Sequence, residues 1–354
     1  MTEQFVKHFL KQATENRASD VYIVQGKPVT LKISGRMVPV DREALTEVGT
    51  QNILEIIYRL GRRDFKRLEA GDDDFAIAIE DVGRFRVNAY RQKLSFASII
   101  RTIPLEIPDP AKLSIPDVIM GLANYQRGLV LFTGTTGSGK STSLACLIDK
   151  INTTRDNHII TIEDPIEFRH AHKRSIISQR ELEADTKSYV SALRAAMRQV
   201  PDVILVGEMR DYDTISSAIT AAETGHLVFS TLHTIGAAPT IDRIIDVFPP
   251  NQQNQIRVQL SITLQAVVSQ QLIPTVDGKL HPAFEIMVVN SAIRNLIREN
   301  KTFQIENVLQ TSANVGMRTM DQSLHDLYRR GQITRENALL YSVNQQDMLA
   351  RLSK

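Results

Sequence analysis

The sequence predicts an α/β protein: an N-terminal α+β domain followed by a larger domain with a mostly parallel sheet. Three observations predict it. Over the first hundred residues, segments in which every second residue is apolar are separated by turns bearing glycine or aspartate. From Pro104 to Pro116 lie four of the chain's 13 prolines, in IPLEIPDPAKLSIP. Beyond residue 117, short apolar runs alternate with segments of helical spacing, the pattern of parallel strands covered on both faces. We therefore divide the chain into residues 1–103, a semi-rigid linker over 104–116, and residues 117–354.

Composition bounds the function. The chain has 354 residues, 42% hydrophobic and 23% charged, with a formal net charge of +2. Such a balance gives no argument for a nucleic-acid partner. No apolar run reaches the length of a membrane span. The first twenty residues carry charges throughout and lack the core of a signal peptide. The expected location is cytoplasmic, with any membrane role exercised through docking on partners. Cys146 is the one cysteine, which leaves no intrachain disulfide and no cysteine cluster for zinc.

Phe5, Phe9 and Ala13, with Val6 and Leu10 beside them, predict a first helix. Ser19–Val24 reads as a strand. Val29, Leu31 and Ile33 alternate with polar residues as a second, and Gly35-Arg36 suits a hairpin turn with glycine first. Residues 43–60 read as a helix. Phe75, Ile77 and Ile79 alternate, and a turn at Asp81 and Gly83 leads into Arg84-Phe-Arg86-Val-Asn88-Ala-Tyr90. There Phe85, Val87 and Ala89 share one face and Arg84, Arg86 and Asn88 the other. By itself such an arginine row is also what a solvated sheet face looks like.

Leu129-Val-Leu-Phe132 predicts a buried central strand. It runs into Gly134-Thr135-Thr136-Gly137-Ser138-Gly139-Lys140-Ser141-Thr142, which fits G-x-x-x-x-G-K-[ST] without a mismatch. Leu144, Leu147, Ile148 and Ile151 then recur at helical spacing. In this strand–loop–helix setting the glycines let backbone N–H groups turn toward phosphate oxygens. Lys140 supplies a point charge for the β- and γ-phosphates, and the Ser141 hydroxyl a ligand for Mg²⁺. His158–Ile162, Val203–Val206 and Leu227–Phe229 are three more strands. Asp185 or Thr186 is the expected cap of a helix striped by Tyr189, Leu193, Ala196 and Met197. Ile215, Ala218, Ile219 and Ala222 mark the helix after it, with Gly225 as its stop.

Ligands of parallel sheets sit beyond the carboxyl ends of the strands. Glu163, Asp164, Glu208, His226 and His233 are site candidates on that ground. An ATPase needs one acid near Mg²⁺ and one to orient or deprotonate water. Glu163 is expected on the water and Glu208 in the metal shell, largely through water, with the reverse assignment left open. His233 and His226 are expected to sense the γ-phosphate or to link strands. The other histidines, including His170 and His172, read as structural, and no metal-ligand spacing surrounds them.

TGSGKST, TIEDPIEF, PDVILVGEMRD, AAETGHLVFSTLHT and TIDRIIDVFP occur here in an order that resembles the pilus and secretion motor ATPases. RFRVNAY, RTIP, GMRTMDQ and Ala292-Ile293-Arg294-Asn295-Leu296-Ile297 make the chain similar, within them, to the retraction ATPases of type IV pili. The resemblance spans essentially the whole length. It implies a PAS-like first domain, a RecA-like second domain, and a homohexamer with ATP and Mg²⁺ held between subunits. It also implies nucleotide contacts from Arg84, Arg86 and Arg101, some across the subunit boundary. Two departures stand out: the usual P-loop proline is Thr135, and a position where the family carries arginine is Leu94.

Further implied are an inner-membrane pilus platform protein as partner, a pilus-assembly ATPase as functional antagonist, and action at the inner face of the cytoplasmic membrane. The zinc insertion of assembly and secretion relatives is not expected with one cysteine. Residues 292–297 read as a helix capped by Asn290 or Ser291. Ile293, Leu296 and Ile297 form its apolar edge, and Arg294, Asn295 and Arg298 a polar, positive edge. By itself this is what an ordinary amphipathic surface helix looks like, and it is the resemblance that implies a partner contact or force transmission. The rival readings are a pilus-assembly or secretion motor, a nucleic-acid translocase on the same core, and a nucleotide-binding regulator without catalysis. No basic stripe interleaved with aromatics favours the translocase, and two strand-end glutamates disfavour the regulator.

Overall fold

The computed structural model describes residues 1–103 and 106–353. Pro104 and Leu105 of the proline-rich linker and Lys354 lie outside the described residues. The chain divides into two compact units, Met1–Glu106 with Pro165–Arg169, and Ile107–Asp164 with His170–Lys354.

In the first unit, helices α1 (Glu3–Glu15) and α2 (Glu47–Leu60) accompany strands β1 (Asp20–Ile23), β2 (Thr30–Ile33), β3 (Arg36–Pro39), β4 (Asp72–Ile79), β5 (Gly83–Gln92) and β6 (Ser95–Ile103). The strands form one antiparallel sheet in the order β3-β2-β1-β6-β5-β4. The expected stripe of α1 is its buried face: Val6, Phe9, Leu10 and Ala13 join Ile53, Ile57, Phe85, Val87 and Ile100 in one core. Helix α2 starts at Glu47 and not at 43, because the Thr46 side chain accepts the Gly49 N–H and caps it. The β2–β3 hairpin turns on Ser34-Gly35, not Gly35-Arg36. Ile33 pairs with Arg36, and both turn residues have positive φ (49° and 80°), the type I′ geometry that matches strand twist. Alternation along β5 is as expected, with Phe85, Val87 and Ala89 buried and Arg84, Arg86 and Asn88 on the other face.

In the second unit, α3 (Asp117–Gly121) precedes β7 (Gly128–Thr133), α4 (Lys140–Thr154), β8 (His158–Glu163), β9 (Ile176–Glu181), α5 (Tyr189–Ala196), β10 (Val203–Val206), α6 (Tyr212–Glu223) and β11 (Leu227–Leu232). Then come α7 (Ala237–Asp246), α8 (Pro250–Thr263), β12 (Leu264–Pro274), β13 (Leu280–Val288), α9 (Ser291–Arg298), α10 (Ile305–Thr311), α11 (Met320–Arg329), α12 (Arg335–Leu340) and α13 (Gln345–Leu352). The sheet runs β13-β12-β7-β11-β10-β8-β9 and is parallel except for β13. Both faces are covered, which is why Leu129–Phe132 of β7 form an apolar run. Leu129 and Leu131 enter one core with α5–α9, while Val130 and Phe132 enter the other with α3 and α4.

Strands β9, β12 and β13 add to those the apolar runs predict. Polar residues interrupt the first two, in IISQRE and in the SQQ of β12, and β13 pairs antiparallel at an edge. Helix α5 is capped by Ser188, whose Oγ accepts the Ser191 N–H at 3.1 Å. Asp185 instead accepts the Glu181 N–H at the end of β9. Helix α6 stops at Thr224-Gly225, with Gly225 at φ 108°. Glu285 of β13 accepts the first N–H groups of both α7 (Ala237, 2.7 Å) and α11 (Met320, 3.3 Å). No helix among the described residues is long and apolar enough to cross a membrane.

Candidate active site

Parallel pairing brings the ends of β7, β8, β10 and β11 to one edge of the sheet. The chain leaves β7 at Thr133 and folds into the phosphate loop, where Gly134, Gly137 and Gly139 have φ of 134°, 79° and 89°. Residues with a Cβ rarely adopt these angles. Lys140 opens α4 and is 7% exposed. Its Nζ donates to Gly134 O at 2.7 Å and Thr135 O at 2.9 Å, so the ammonium sits within the curl of the loop. Ser138 Oγ and Thr133 Oγ1 are buried there without a hydrogen-bond partner. Buried hydroxyls are ordinarily paired; these two, with Lys140 and the Ser141 hydroxyl at the head of α4, fit a phosphate group and its magnesium. A cavity of about 290 Å³ adjoins Gly139 and Thr142, with Leu113, Ile115, Leu272 and Pro282 in its walls.

Glu163 ends β8. Its Oε1 accepts from Thr161 Oγ1 at 2.6 Å and from Gln179 Nε2 of β9 at 3.3 Å. The contribution of Thr161 and Gln179 is not legible in the sequence, because polar residues break the periodicity of β9 and only the fold supplies their neighbours. Glu208 lies two residues past the end of β10, and Gly207 N–H donates to Ile162 O at 2.8 Å, so the two acids leave adjacent strands. Glu208 Oε2 is held by Arg210 Nε at 2.7 Å and by His233 Nε2 at 3.3 Å. The acid and the histidine at the end of β11 therefore form one constellation. Tyr189 stands over it, with its hydroxyl 3.0 Å from where a Cβ on Gly207 would lie. Burial, and then the carboxylates of Glu208, Asp164 and Glu163, push that phenol above its ordinary range.

His226 is not brought to this edge. It precedes β11, and its carbonyl accepts the Gly128 N–H at the start of β7. The strand is parallel to β7, so His226 lies roughly 20 Å from His233, at about 3.3 Å per residue. Its Nδ1 is within 2.9 Å of Ala221 O, the end of its own preceding helix.

Arg84, Arg86 and Arg101 belong to the first unit and the phosphate loop to the second. In the first unit Arg86 lies directly opposite Arg101 in the β5–β6 ladder. That juxtaposition of like charges is offset by aspartates. Arg86 makes a two-pronged pair with Asp74, closest approach 2.6 Å, and Arg101 Nε donates to Asp20 Oδ1 at 3.2 Å. Arg84 is half-buried on the same face, opposite Ile103. Leu94 occupies the β5–β6 turn, 88% exposed at φ 65°.

Helix α9 is capped by Asn290, whose Oδ1 accepts the Ile293 N–H. Ile293 and Ile297 are fully buried and Leu296 packs partly against the same core. The expected polar edge needs correction at Arg294. Its guanidinium is turned onto the end of α8, donating to Ser261 O at 2.6 Å, Ile262 O at 2.8 Å and Gln265 Oε1 at 3.2 Å. Helix-end carbonyls lack intrahelical partners and carry partial negative charge, so a cation is favoured there. Ala292, Asn295 and Arg298 remain exposed. Cys146 is buried, with its thiol pushed up to about 11 by burial, and serves as a core residue.

The chain matches the model of the type II/IV secretion system protein family over residues 114–282. It is 44% identical to the type IV pilus retraction ATPase PilT of Pseudomonas aeruginosa, over 94% of this chain and 96% of that one. It is 53% identical to a twitching motility protein of Neisseria gonorrhoeae, over 78% and 74% of the two chains. Among solved structures, the pilus retraction motor PilT with bound ADP superposes with a TM-score of 0.88 at 45% identity, covering 96% of this chain and 98% of that one. The ATPase DotB of Legionella pneumophila follows at 0.79 and 28%, covering 96% and 95%. With a nucleotide-binding loop and two strand-end acids on that shared framework, the chain belongs to the type II/IV secretion and pilus motor ATPases, alongside the type IV pilus retraction ATPases.

Proposed function

We propose that this ATPase is a hexameric motor that couples ATP hydrolysis to retraction of a type IV pilus. The supporting observation is the pairing of a complete phosphate-loop site with full-length similarity to a retraction ATPase. In this reading residues 1–103 carry the arginine face, 104–116 link, and 117–354 form the engine. The amides of Gly134–Thr142 and the Lys140 ammonium bind the phosphates, and the adjoining cavity offers apolar walls to the nucleoside. Mg²⁺ would be held by Ser141 and, through water, Glu208, and would supply charge neutralisation at the phosphate oxygens. Glu163, oriented by Thr161 and Gln179, positions and deprotonates the attacking water. His233, bonded to Glu208, relays the state of the γ-phosphate.

Arg84, Arg86 and Arg101 reach nucleotide in part from a neighbouring subunit, with Arg86 and Arg101 exchanging their aspartate partners for phosphate. Hydrolysis in one subunit then depends on the position of the next. Helix 292–297 transmits the resulting movement, with Asn295 and Arg298 as its outward polar groups. The motor works at the inner face of the cytoplasmic membrane through a pilus platform protein, opposed by an assembly ATPase. Deletion of the gene and observation of labelled pili tests this: pili should persist and cease to retract. Loss of pili altogether would make the chain an assembly motor instead.

A further inference from the structure

Strand β12 runs beside β7 in parallel register until Ser269 meets Thr133. At the next residue β7 has curled into the phosphate loop, and β12 continues alongside it with Gln270. This glutamine is 3% exposed. Its carbonyl oxygen occupies the space where Gly134 lacks a side chain; a Cβ on Gly134 would collide with it. Its side-chain Nε2 would lie 2.7 Å from a Cβ on Gly139. Its Oε1 accepts the Ser143 hydroxyl at 2.9 Å, in the first turn of α4, and Ser143 is itself 1% exposed. One buried residue thus touches the entrance of the loop, its exit, and the helix whose N-terminus faces the phosphates.

A glycine-rich loop gains affinity only if its N–H groups are held in their binding arrangement beforehand, since glycine has the most backbone freedom to lose. Packing alone does not explain the choice of residue. A leucine would fill the same volume, but would leave Ser143 Oγ buried and unpaired. We propose that Gln270 is a positioning residue for the phosphate loop, its side chain holding Gly139 and α4 in the arrangement that receives the nucleotide phosphates. It acts on nucleotide affinity and not on the hydrolytic step. The proposal rests on the phosphate-loop reading above.

The test compares Gln270→Leu, Ser143→Ala and the double variant with the unmodified chain. Binding of the fluorescent nucleotide mant-ADP, KM and kcat for ATP, and thermal unfolding are measured for each. Gln270→Leu should fold, weaken mant-ADP binding about tenfold, raise the ATP KM by a similar factor, and keep kcat at saturation within about twofold, the signature of lost uniform binding. Ser143→Ala should weaken binding about threefold, and the double variant should be no worse than Gln270→Leu, because the two residues form one bond. A folded Gln270→Leu with mant-ADP affinity within about twofold of the unmodified chain, or with kcat lost at unchanged KM, overturns the proposal. If Gln270→Leu does not fold, Ser143→Ala decides, and unchanged affinity there overturns it equally. An unmodified chain that binds no mant-ADP, or binds it as well after Lys140→Ala, would overturn the phosphate-loop reading itself.

Discussion

Replacing Arg294 with alanine is expected to lower stability, although Arg294 lies in a surface helix. Helix α8 ends at Thr263; the Leu264 N–H caps Leu260 O, and the carbonyls after it are left without an intrahelical partner. Arg294 supplies two of them with donors, at Ser261 O and Ile262 O, and adds Gln265 Oε1 at the start of β12. A hydrogen bond from a charged donor is worth about 1.5–3 kcal/mol when buried. Arg294 is only half-buried and Ile262 is 60% exposed, so water replaces part of what is lost. Roughly 1 kcal/mol for each carbonyl bond, and somewhat less for a cation at a helix C-terminus, gives about 2–3 kcal/mol. At about 2–4 °C per kcal/mol for a domain of this size, Tm should fall by about 5–10 °C. Differential scanning fluorimetry of Arg294→Ala measures it. Asn295→Ala on the exposed side of the same helix should change stability by no more than about 0.5 kcal/mol. Arg294→Lys keeps the charge without the fork and should fall between the two. A Tm for Arg294→Ala within about 2 °C of the unmodified protein would mean that these contacts do not stabilise the fold. Force transmission by α9 should therefore be probed at Asn295 and Arg298.

Glu163→Gln should retain nucleotide binding and slow hydrolysis by at least ~100-fold; a silent Glu163→Gln beside an inactive Glu208→Gln, read by phosphate release, would exchange their roles. Arg86→Ala should lower ATP turnover, and mixing it with Lys140→Ala subunits should restore part of the activity at boundaries where an intact loop meets an intact arginine. Unimpaired turnover of Arg86→Ala alone would leave the Arg86–Asp74 pair with a structural role only. Burial holds His170 down to about 4 from its ordinary 6.5. The unfolded chain therefore takes up a proton between those values that the folded chain refuses, so stability should fall as pH drops from about 6.5 toward 4 and be unaffected by this group above 6.5. Urea midpoints at pH 7.5 and 5 should converge for His170→Asn relative to the unmodified protein; an identical loss in both would exclude His170 as the cause.

Features whose causes lie within a few consecutive residues could be read from the sequence alone. The phosphate loop is one, since its glycines, lysine and serine act through the local backbone and the helix that follows. The strands β7, β8, β10 and β11 are others, because burial on both faces forces a predominantly apolar run. Tertiary structure decided what depends on distant partners. Strands β9 and β12 hid behind glutamines and serines that become tolerable only once Gln179 meets Glu163 and Gln270 meets Ser143, 127 residues earlier. Arg294 looked like a free charge until the end of α8 stood beside it. His226 and His233 looked equivalent in one dimension, yet strand direction puts them at opposite edges of the sheet. Periodicity reports which face a residue takes; it cannot report which neighbour waits there, because that neighbour is set by how the sheet is ordered and not by the chain's own spacing.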